Sequence, residues 1–262
     1  MFHSSIEPLY YVLPLIGLVV GLFGTMLGGG GGFFFLPVLT ILLKVPAQTA
    51  VITSLVATVP ICLVGSLSHY RRNNIDFRLA AIFAVSGIAG AFAGAGITSL
   101  VSSAQLKVSF GIYAVLIALH LAYHTWQGED AEATGNKAPA GTLKSAKGSF
   151  YGLFAGIITG TFGTSGTAPV LAGLFSMHIP VKMVIGTSLL IVMVNTLFAT
   201  GAHFLIGRID LTLVYFLTSG SAIGALAGPG ILAKIRTDRS GNRIRYGYAA
   251  VMLALGIIMV VS

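Results

Sequence analysis

Residues 9–43 read LYYVLPLIGLVVGLFGTMLGGGGGFFFLPVLTILL, an apolar run that five consecutive glycines, Gly28 to Gly32, interrupt. A helix that continued through this cluster would lose about 1 kcal/mol at each glycine relative to alanine. The sequence therefore predicts a break in the helix at the cluster. The broken segment is either one bent membrane span or a hairpin that turns back.

Apolar runs of similar character recur along the whole chain of 262 residues, which is 55% hydrophobic and only 8% charged. Soluble domains carry about 25% charged residues, so this composition cannot build a water-facing surface of ordinary size. Several runs reach the length of about 20 residues that a helix needs to cross the hydrocarbon core. We therefore predict an all-α polytopic protein of the bacterial inner membrane with about 8–10 membrane segments.

The chain contains an internal repeat. Thr53-Ser54, His69 and Ile75-Asp76 recur 134 residues later as Thr187-Ser188, His203 and Ile209-Asp210, and Gly90, Gly94 and Gly96 recur as Gly224, Gly228 and Gly230. Upstream, a shift of 132 pairs Gly28 with Gly160 and Gly31 with Gly163. Duplicated halves are common in transporters. We predict a first repeat over residues 1–125, a polar cytoplasmic linker over 126–148 and a second repeat over 149–262.

The positions of Lys and Arg favour one orientation of the repeats. If each glycine-rich segment turns back as a hairpin, 12 of the 15 Lys and Arg residues lie on one face of the membrane, whereas a single crossing divides them eight to seven. Basic residues concentrate on the cytoplasmic face. We therefore predict two inverted repeats, each with about four long transmembrane helices and a glycine-rich hairpin, and both termini outside.

The order of these motifs resembles the TauE/SafE sulfite exporter family. The glycine cluster is followed by Pro37 and Leu39, then Thr53-Ser54, then His69 with Ile75-Asp76, then a glycine-rich helix, and the order is repeated. The resemblance implies a secondary transporter that exports a small sulfur-containing anion, such as sulfite or an organosulfonate, without ATP hydrolysis. The second glycine cluster departs from the family pattern, because Thr164, Ser165 and Thr167 stand where further glycines are usual.

The two breaks and the duplicated hydroxyl pairs are the candidate binding residues. Broken membrane segments must line a cavity or be buried in protein, and exposed backbone N–H groups favour an anion. The predicted substrate site comprises Gly28, Gly29, Gly30, Gly31, Gly32, Thr53, Ser54, Gly163, Thr164, Ser165, Gly166, Thr167, Thr187, Ser188 and Asn195. Helical hydroxyls also bond to carbonyls of their own helix. Gly17/Gly21, Gly90/Gly94 and Gly220/Gly224/Gly228 fit close helix packing instead.

Two histidines end their apolar runs near arginines. His69 is followed by Arg71 and Arg72, and His203 is followed by Arg208. These residues are either ordinary interfacial side chains or groups that gate the path and guide the anion. Asp76 and Asp210 are predicted to cap the helices that follow.

An intramembrane protease is the competing interpretation. Gly163-Thr164-Ser165-Gly166 matches the GxSG of rhomboid-type serine proteases, with Ser165 as nucleophile and His203 as base. The equivalent segment of the first repeat has Gly31 and no serine, so the transporter is favoured and no enzyme is predicted. All seven acids lie in loops or at run ends, which disfavours a cation substrate. We predict no cofactor, metal or nucleic-acid partner, contact with membrane lipids, and a homodimer as the oligomer that glycine-lined helices would suit.

Overall fold

The structure, a computed structural model, describes residues 2–126, 141–164, 166–205, 209–234 and 237–261. Its helices are α1 (Leu13–Met26, after a 3-10 turn at Pro8–Val12), α2 (Gly32–Pro37, continued by a π-helical turn at Val38–Leu42), α3 (Ala47–Tyr70), α4 (Phe77–Leu100), α5 (Ser103–Trp126), α6 (Gly141–Phe162), α7 (Thr167–Phe175), α8 (Val181–Phe204), α9 (Leu211–Lys234) and α10 (Thr237–Val261). Within these ranges, six helical segments are long and apolar enough to cross a membrane. The all-α polytopic fold is confirmed.

Two sets of five helices follow one another in the same order, α1–α5 and then α6–α10. The first helix of each set packs on the fourth helix of the other, so that α1 contacts α9 and α6 contacts α4. The third helices, α3 and α8, contact each other, and so do the fifth helices, α5 and α10. The two halves are therefore interlocked rather than placed side by side.

Glycines allow the first and fourth helices to approach to backbone contact. A Cβ on Gly21 would overlap the carbonyl of Ser221, and a Cβ on Gly156 would overlap the carbonyl of Gly87. Small residues at this spacing are typical of close helix pairs in membranes. The packing role predicted for the glycine stripes is confirmed. The homodimer was predicted because such glycine-lined faces could pair two chains. These faces are occupied within one chain, so they do not support the homodimer, which stays a prediction.

The same contacts correct the upstream register of the repeat. Gly21 and Gly156 occupy equivalent places against α9 and α4, which requires a shift of 135 residues rather than 132. Gly28 is therefore equivalent to Gly163, not to Gly160. The two registers differ by three residues, close to one helical turn, so their apolar patterns match almost equally well. Only the partner helix distinguishes them.

Equivalent helices of the two halves run in opposite directions. Gly65 of α3 lies against Leu189 of α8, and His69, one turn further along α3, lies against Gly186, earlier in α8. Antiparallel packing of equivalent helices is what inverted repeats require. The orientation in the membrane stays a prediction.

The predicted helix caps are present, whereas the predicted linker is shorter than expected. Asp76 accepts the N–H of Leu79 at 3.0 Å, and Asp210 accepts that of Thr212 at 3.0 Å, so both predicted caps are confirmed. Helix α6 already begins at Gly141, so residues 141–148 of the predicted linker are helical. Residues 127–140 lie outside the described part of the chain.

Candidate substrate site at two hairpin tips

The first glycine cluster turns the chain back on itself. Gly28, Gly30 and Gly31 have φ values of 76°, 64° and 76°, in the left-handed region that glycine adopts readily. The carbonyl of Gly24 accepts the N–H groups of both Gly29 and Gly30, at 2.7 and 3.1 Å. A Cβ on Gly24 would lie 2.8 Å from Cα of Gly31, so the chain after the cluster folds against the end of α1. This segment is a hairpin.

The second cluster forms a corresponding hairpin between α6 and α7. Gly163 has a φ of 63°, and the N–H of Gly166 donates to Thr159 Oγ1 at 2.8 Å. Further along α7, Gly173 packs against Tyr151 of α6, so the two helices lie antiparallel. Ser165 lies outside the residues that the structure describes.

A serine of each repeat holds the hairpin of the other repeat. Ser54 Oγ donates to the carbonyl oxygen of Gly163 at 2.8 Å, and Ser188 Oγ donates to that of Gly28 at 2.8 Å. Ser54 Oγ is also 3.2 Å from the carbonyl oxygen of Gly32, so it touches both hairpins. These serines were predicted to surround a bound anion, whereas in this arrangement their hydroxyl protons are directed at backbone carbonyls.

The two hairpin tips also touch each other directly. Thr167 Oγ1 donates to the carbonyl oxygen of Gly29 at 3.2 Å, which joins the second tip to the first. Around the next glycine, a Cβ on Gly30 would lie 3.3 Å from Thr58 Cγ2 of α3 and 3.5 Å from Val192 Cγ1 of α8. The tips therefore meet between α3 and α8.

The duplicated threonines have a different position from the serines. Thr187 Oγ1 accepts the N–H of Asp76 at 2.9 Å, and Thr53 Oγ1 lies 3.5 Å from the N–H donor of Asp210. Each threonine oxygen thus contacts the backbone N–H that precedes the fourth helix of the other repeat. Because it is an acceptor there, its own O–H proton is left to donate elsewhere.

Three further polar side chains, one beside the second tip and two on α8, are buried without a hydrogen-bond partner among the described residues: Thr164, Asn195 and Thr196. Asn195 Nδ2 would lie 2.7 Å from a Cβ on Gly87, so its amide faces α4 where that helix has no side chain. Buried polar groups are nearly always paired. Thr164 and Asn195 were sequence candidates, but Thr196 was missed because one more hydroxyl in an apolar run carries no signal of its own.

The two histidines are buried inside the protein, each in the last turn of its helix. His69 and His203 are each only 2% exposed. His203 Nε2 lies 2.6 Å from the carbonyl oxygen of Gly160, and this acceptor requires Nε2 to carry the proton. His69 has no partner on either ring nitrogen within the described residues.

The arginines differ from one another. Arg72 Nη1 donates to the carbonyl oxygen of Pro229 in α9 at 2.6 Å, which ties the α3–α4 loop to that helix. Arg71 is exposed, as a residue that guides an anion would be. Arg208 lies outside the described residues.

Four of the helices that form and hold the tips, α1, α2, α3 and α7, contain no Asp, Glu, Lys or Arg. The other two carry lysines only near their first residues, Lys144 and Lys147 in α6 and Lys182 in α8. The polar surface there consists of backbone dipoles and uncharged side chains. Such a surface can bind an ion through oriented N–H and O–H groups, but it offers no carboxylate to a cation.

A sequence profile described as Sulfite exporter TauE/SafE matches residues 13–259. The chain belongs to this family. Among its relatives, the probable membrane transporter protein YdhB of Bacillus subtilis is 27% identical over 83% of this chain and 86% of its own length. The probable membrane transporter protein YunE of Bacillus subtilis is 25% identical over 87% of this chain and 90% of its own.

A probable membrane transporter protein of Xylella fastidiosa is 26% identical over 94% of this chain and 91% of its own length. No solved structure gives a significant match. This TauE/SafE protein is therefore a multi-pass transporter of the cell membrane and not an enzyme. The protease interpretation is also weakened locally, because the ring of His203 is engaged by Gly160.

Proposed function

We propose that this TauE/SafE protein is a secondary exporter of a small sulfur-containing anion, sulfite or an organosulfonate, and that the anion binds where the two hairpin tips meet. The observation that carries the proposal is the exchange of hydrogen bonds between repeats, Ser54 with Gly163 and Ser188 with Gly28. Broken backbone in a membrane protein marks the substrate site of many transporters with duplicated halves.

The chemistry of the tips suits an anion that must be released. Backbone N–H groups at the breaks and the hydroxyls of Thr164 and Thr187 can donate hydrogen bonds to sulfur-bound oxygens. A buried Lys or Arg would add a full charge and would hold the anion more tightly. Conduction requires binding that is favourable enough to admit the ion and weak enough to release it. A neutral site of oriented dipoles meets both requirements.

We infer that the two repeats are inverted in the membrane, with both termini outside and the linker in the cytoplasm. The distribution of Lys and Arg supports this orientation, and so does the antiparallel contact of α3 with α8. Single cysteines at Ser5, Thr134 and Ser262, in a Cys62→Ser background, can be treated in intact cells with an impermeant thiol reagent. We expect labelling at positions 5 and 262 only. Labelling at position 134 contradicts the orientation.

A thermal-shift screen of the purified protein tests the substrate class. The anions are sulfite, thiosulfate, sulfoacetate, taurine, sulfate and chloride. A ligand at 100 times its dissociation constant stabilises the folded state by about 2.7 kcal/mol. We expect stabilisation by sulfite or an organosulfonate and little by chloride. Equal shifts with all six, or none, would contradict a selective site for sulfur-containing anions.

Two variants test the proposed location of the binding site. Gly31→Val introduces a side chain at a φ of 76° and against Val20, so we expect it to abolish binding. Ser165→Ala removes a nucleophile but leaves the backbone donors, so we expect affinity to fall about tenfold or less, the value of one hydrogen bond. Gly96→Val is the matched control, because no atom lies within 4 Å of a Cβ there. If a folded Gly31→Val protein still binds the anion, the site lies elsewhere.

A further inference from the structure

His69 lacks, among the described residues, the ring hydrogen bond that its counterpart His203 makes in the second repeat. Both histidines end the third helix of their repeat, and both are 2% exposed. His203 donates to the carbonyl of Gly160, whereas neither ring nitrogen of His69 has a partner among the described residues. A buried polar group without a partner costs about 1–3 kcal/mol. Because buried polar groups are nearly always paired, the unpaired ring indicates a role for His69 that His203 does not share.

A second unpaired group lies one helical turn before His69. Ser66 is 5% exposed, and its hydroxyl has no partner in the described part of the chain. Residues three apart on a helix share a face. The Cβ of His69 is 3.0 Å from the position of a Cβ on Gly186, which directly precedes Thr187 and Ser188 in α8. The pair thus lies beside the turn of α8 whose Ser188 holds the first hairpin tip.

Few charged groups surround this pair. Arg72 follows in the adjoining loop and is tied to α9, and Asp76 caps α4 with its N–H on Thr187. Helix α1 has no titratable side chain, and the remaining titratable groups of the neighbouring helices are Arg78 of α4, Lys182 and His203 of α8, and Tyr215 and Lys234 of α9. The six long spans contain no Asp or Glu. An imidazolium at position 69 therefore has no buried carboxylate in these spans to compensate it.

We propose that His69 and Ser66 form an access site that binds the transported oxyanion while the imidazole is protonated, on the membrane face that carries Arg71 and Arg72. The proposal rests on the proposed export of a sulfur-containing anion. A buried imidazolium is costly unless an opposite charge pairs with it. The anion supplies that charge, and the N–H of the ring and the O–H of Ser66 donate hydrogen bonds to its oxygens.

Proton and anion should consequently favour each other at this site. Thermodynamic linkage requires that the factor by which the proton strengthens anion binding equals the factor by which the anion strengthens proton binding. Anion binding is then tighter at low pH and weakens as the pH rises and the ring loses its proton. The bond to Gly160 already occupies the second histidine, so the same effect is not expected at His203.

Calorimetric titration of the whole protein in nanodiscs tests the proposal, with sulfite and methanesulfonate as probes at about pH 6 and about pH 8, which bracket the usual histidine range. Methanesulfonate keeps the same charge at both values, so any pH dependence of its binding belongs to the protein. We expect wild-type affinity to be about tenfold higher at the lower pH. His69→Gln should remove this difference, His69→Lys should leave binding tight at both values, and His203→Gln should retain the difference.

Ser66→Ala provides a second variant if His69→Gln does not fold, because it leaves the imidazole in place. We expect its affinity at the lower pH to fall about tenfold or less while the pH dependence persists. If wild type binds neither probe at either pH, the proposed function is contradicted together with this site. If wild type binds a probe and His69→Gln binds it with an unchanged pH dependence, the access site is wrong and the proposed function stands.

Discussion

The two repeats share their scaffold and differ in their unpaired polar groups. The bond from Ser54 to Gly163 has a close counterpart in the bond from Ser188 to Gly28, with the same length of 2.8 Å. In contrast, the second repeat has Asn195 where the first has Ile61 at the equivalent position. The serines that hold the hairpins are duplicated, whereas the buried amide of Asn195 is not.

The two ends of the molecule differ as well. At one end, Phe2 forms two backbone hydrogen bonds, with Ile209 and Leu211, and covers Asp210. At the other end, Asp76 lines a pocket of about 210 Å³ together with Lys144. The aspartate that caps the fourth helix is thus covered in the second repeat and accessible in the first. The cap is shared by the two repeats, but the residues around it are not.

The largest effect is expected where the halves interlock. Gly21→Val and Gly156→Val each place a side chain into a backbone carbonyl of the partner helix, and the backbone cannot yield. Overpacking typically costs about 1–3 kcal/mol and more where nothing can move. We expect both variants to lose the monodisperse peak in detergent gel filtration, with Gly96→Val unaffected. If one of the pair folds normally, the register of 135 residues is wrong for that half.

The hairpin tips should respond more moderately and unequally. Gly163→Ala and Gly28→Ala both force a left-handed residue, which costs about 1–3 kcal/mol. A Cβ on Gly163 would also lie 2.7 Å from Cα of Val51, whereas a Cβ on Gly28 would lie 3.2 Å from Cα of Ile185. We therefore expect the larger loss of melting temperature for Gly163→Ala. The reverse order would contradict the tighter packing of Gly163 against α3.

The serine exchange predicts a smaller difference. Ser188→Ala removes one hydrogen bond, for which we expect a loss of about 1 kcal/mol. Ser54→Ala should cost somewhat more, because its oxygen lies near carbonyls of both hairpins. Thermal unfolding of the two variants and of Ser99→Ala, an exposed serine on α4, measures this. No loss in either variant would show that the tips are held by other contacts.

The smallest effect concerns the threonines. Thr187→Val removes an acceptor at 2.9 Å, and Thr53→Val removes one at 3.5 Å, which is already a weak hydrogen bond. We expect a loss of about 0.5–1.5 kcal/mol for the first and less for the second. Equal losses, measured by thermal unfolding, would indicate that the two contacts are alike in solution.

Much of this arrangement is readable from the sequence. Five consecutive glycines predict the first break, and the recurrence of Thr-Ser and Ile-Asp predicts the repeat and the caps. The partners of Ser54 and Ser188 could not be predicted, because they lie 109 and 160 residues away. Sequence spacing carries no information about which half a side chain faces.

The unpaired hydroxyls were also beyond prediction. Thr58 and Thr159 donate to carbonyls of their own helices, four residues earlier, as helical hydroxyls commonly do. Ser66 and Thr196 stand in equally apolar runs but have no partner among the described residues. The residue types and their apolar neighbours in the sequence are alike in both cases. Only the packing of neighbouring helices distinguishes the paired hydroxyls from the unpaired ones.

The central claim is that the hairpin tips of the two repeats meet and that the transported anion binds between them. It can be tested with Gly29→Cys and Thr167→Cys together in a Cys62→Ala background. The two Cβ positions lie 3.6 Å apart, within the range of a disulfide. We expect mild oxidation to form this bond in proteoliposomes and to stop sulfite efflux. A reducing agent should restore efflux, and each single cysteine should be insensitive. A protein that forms no disulfide, or one that transports sulfite equally well when cross-linked, would contradict the account.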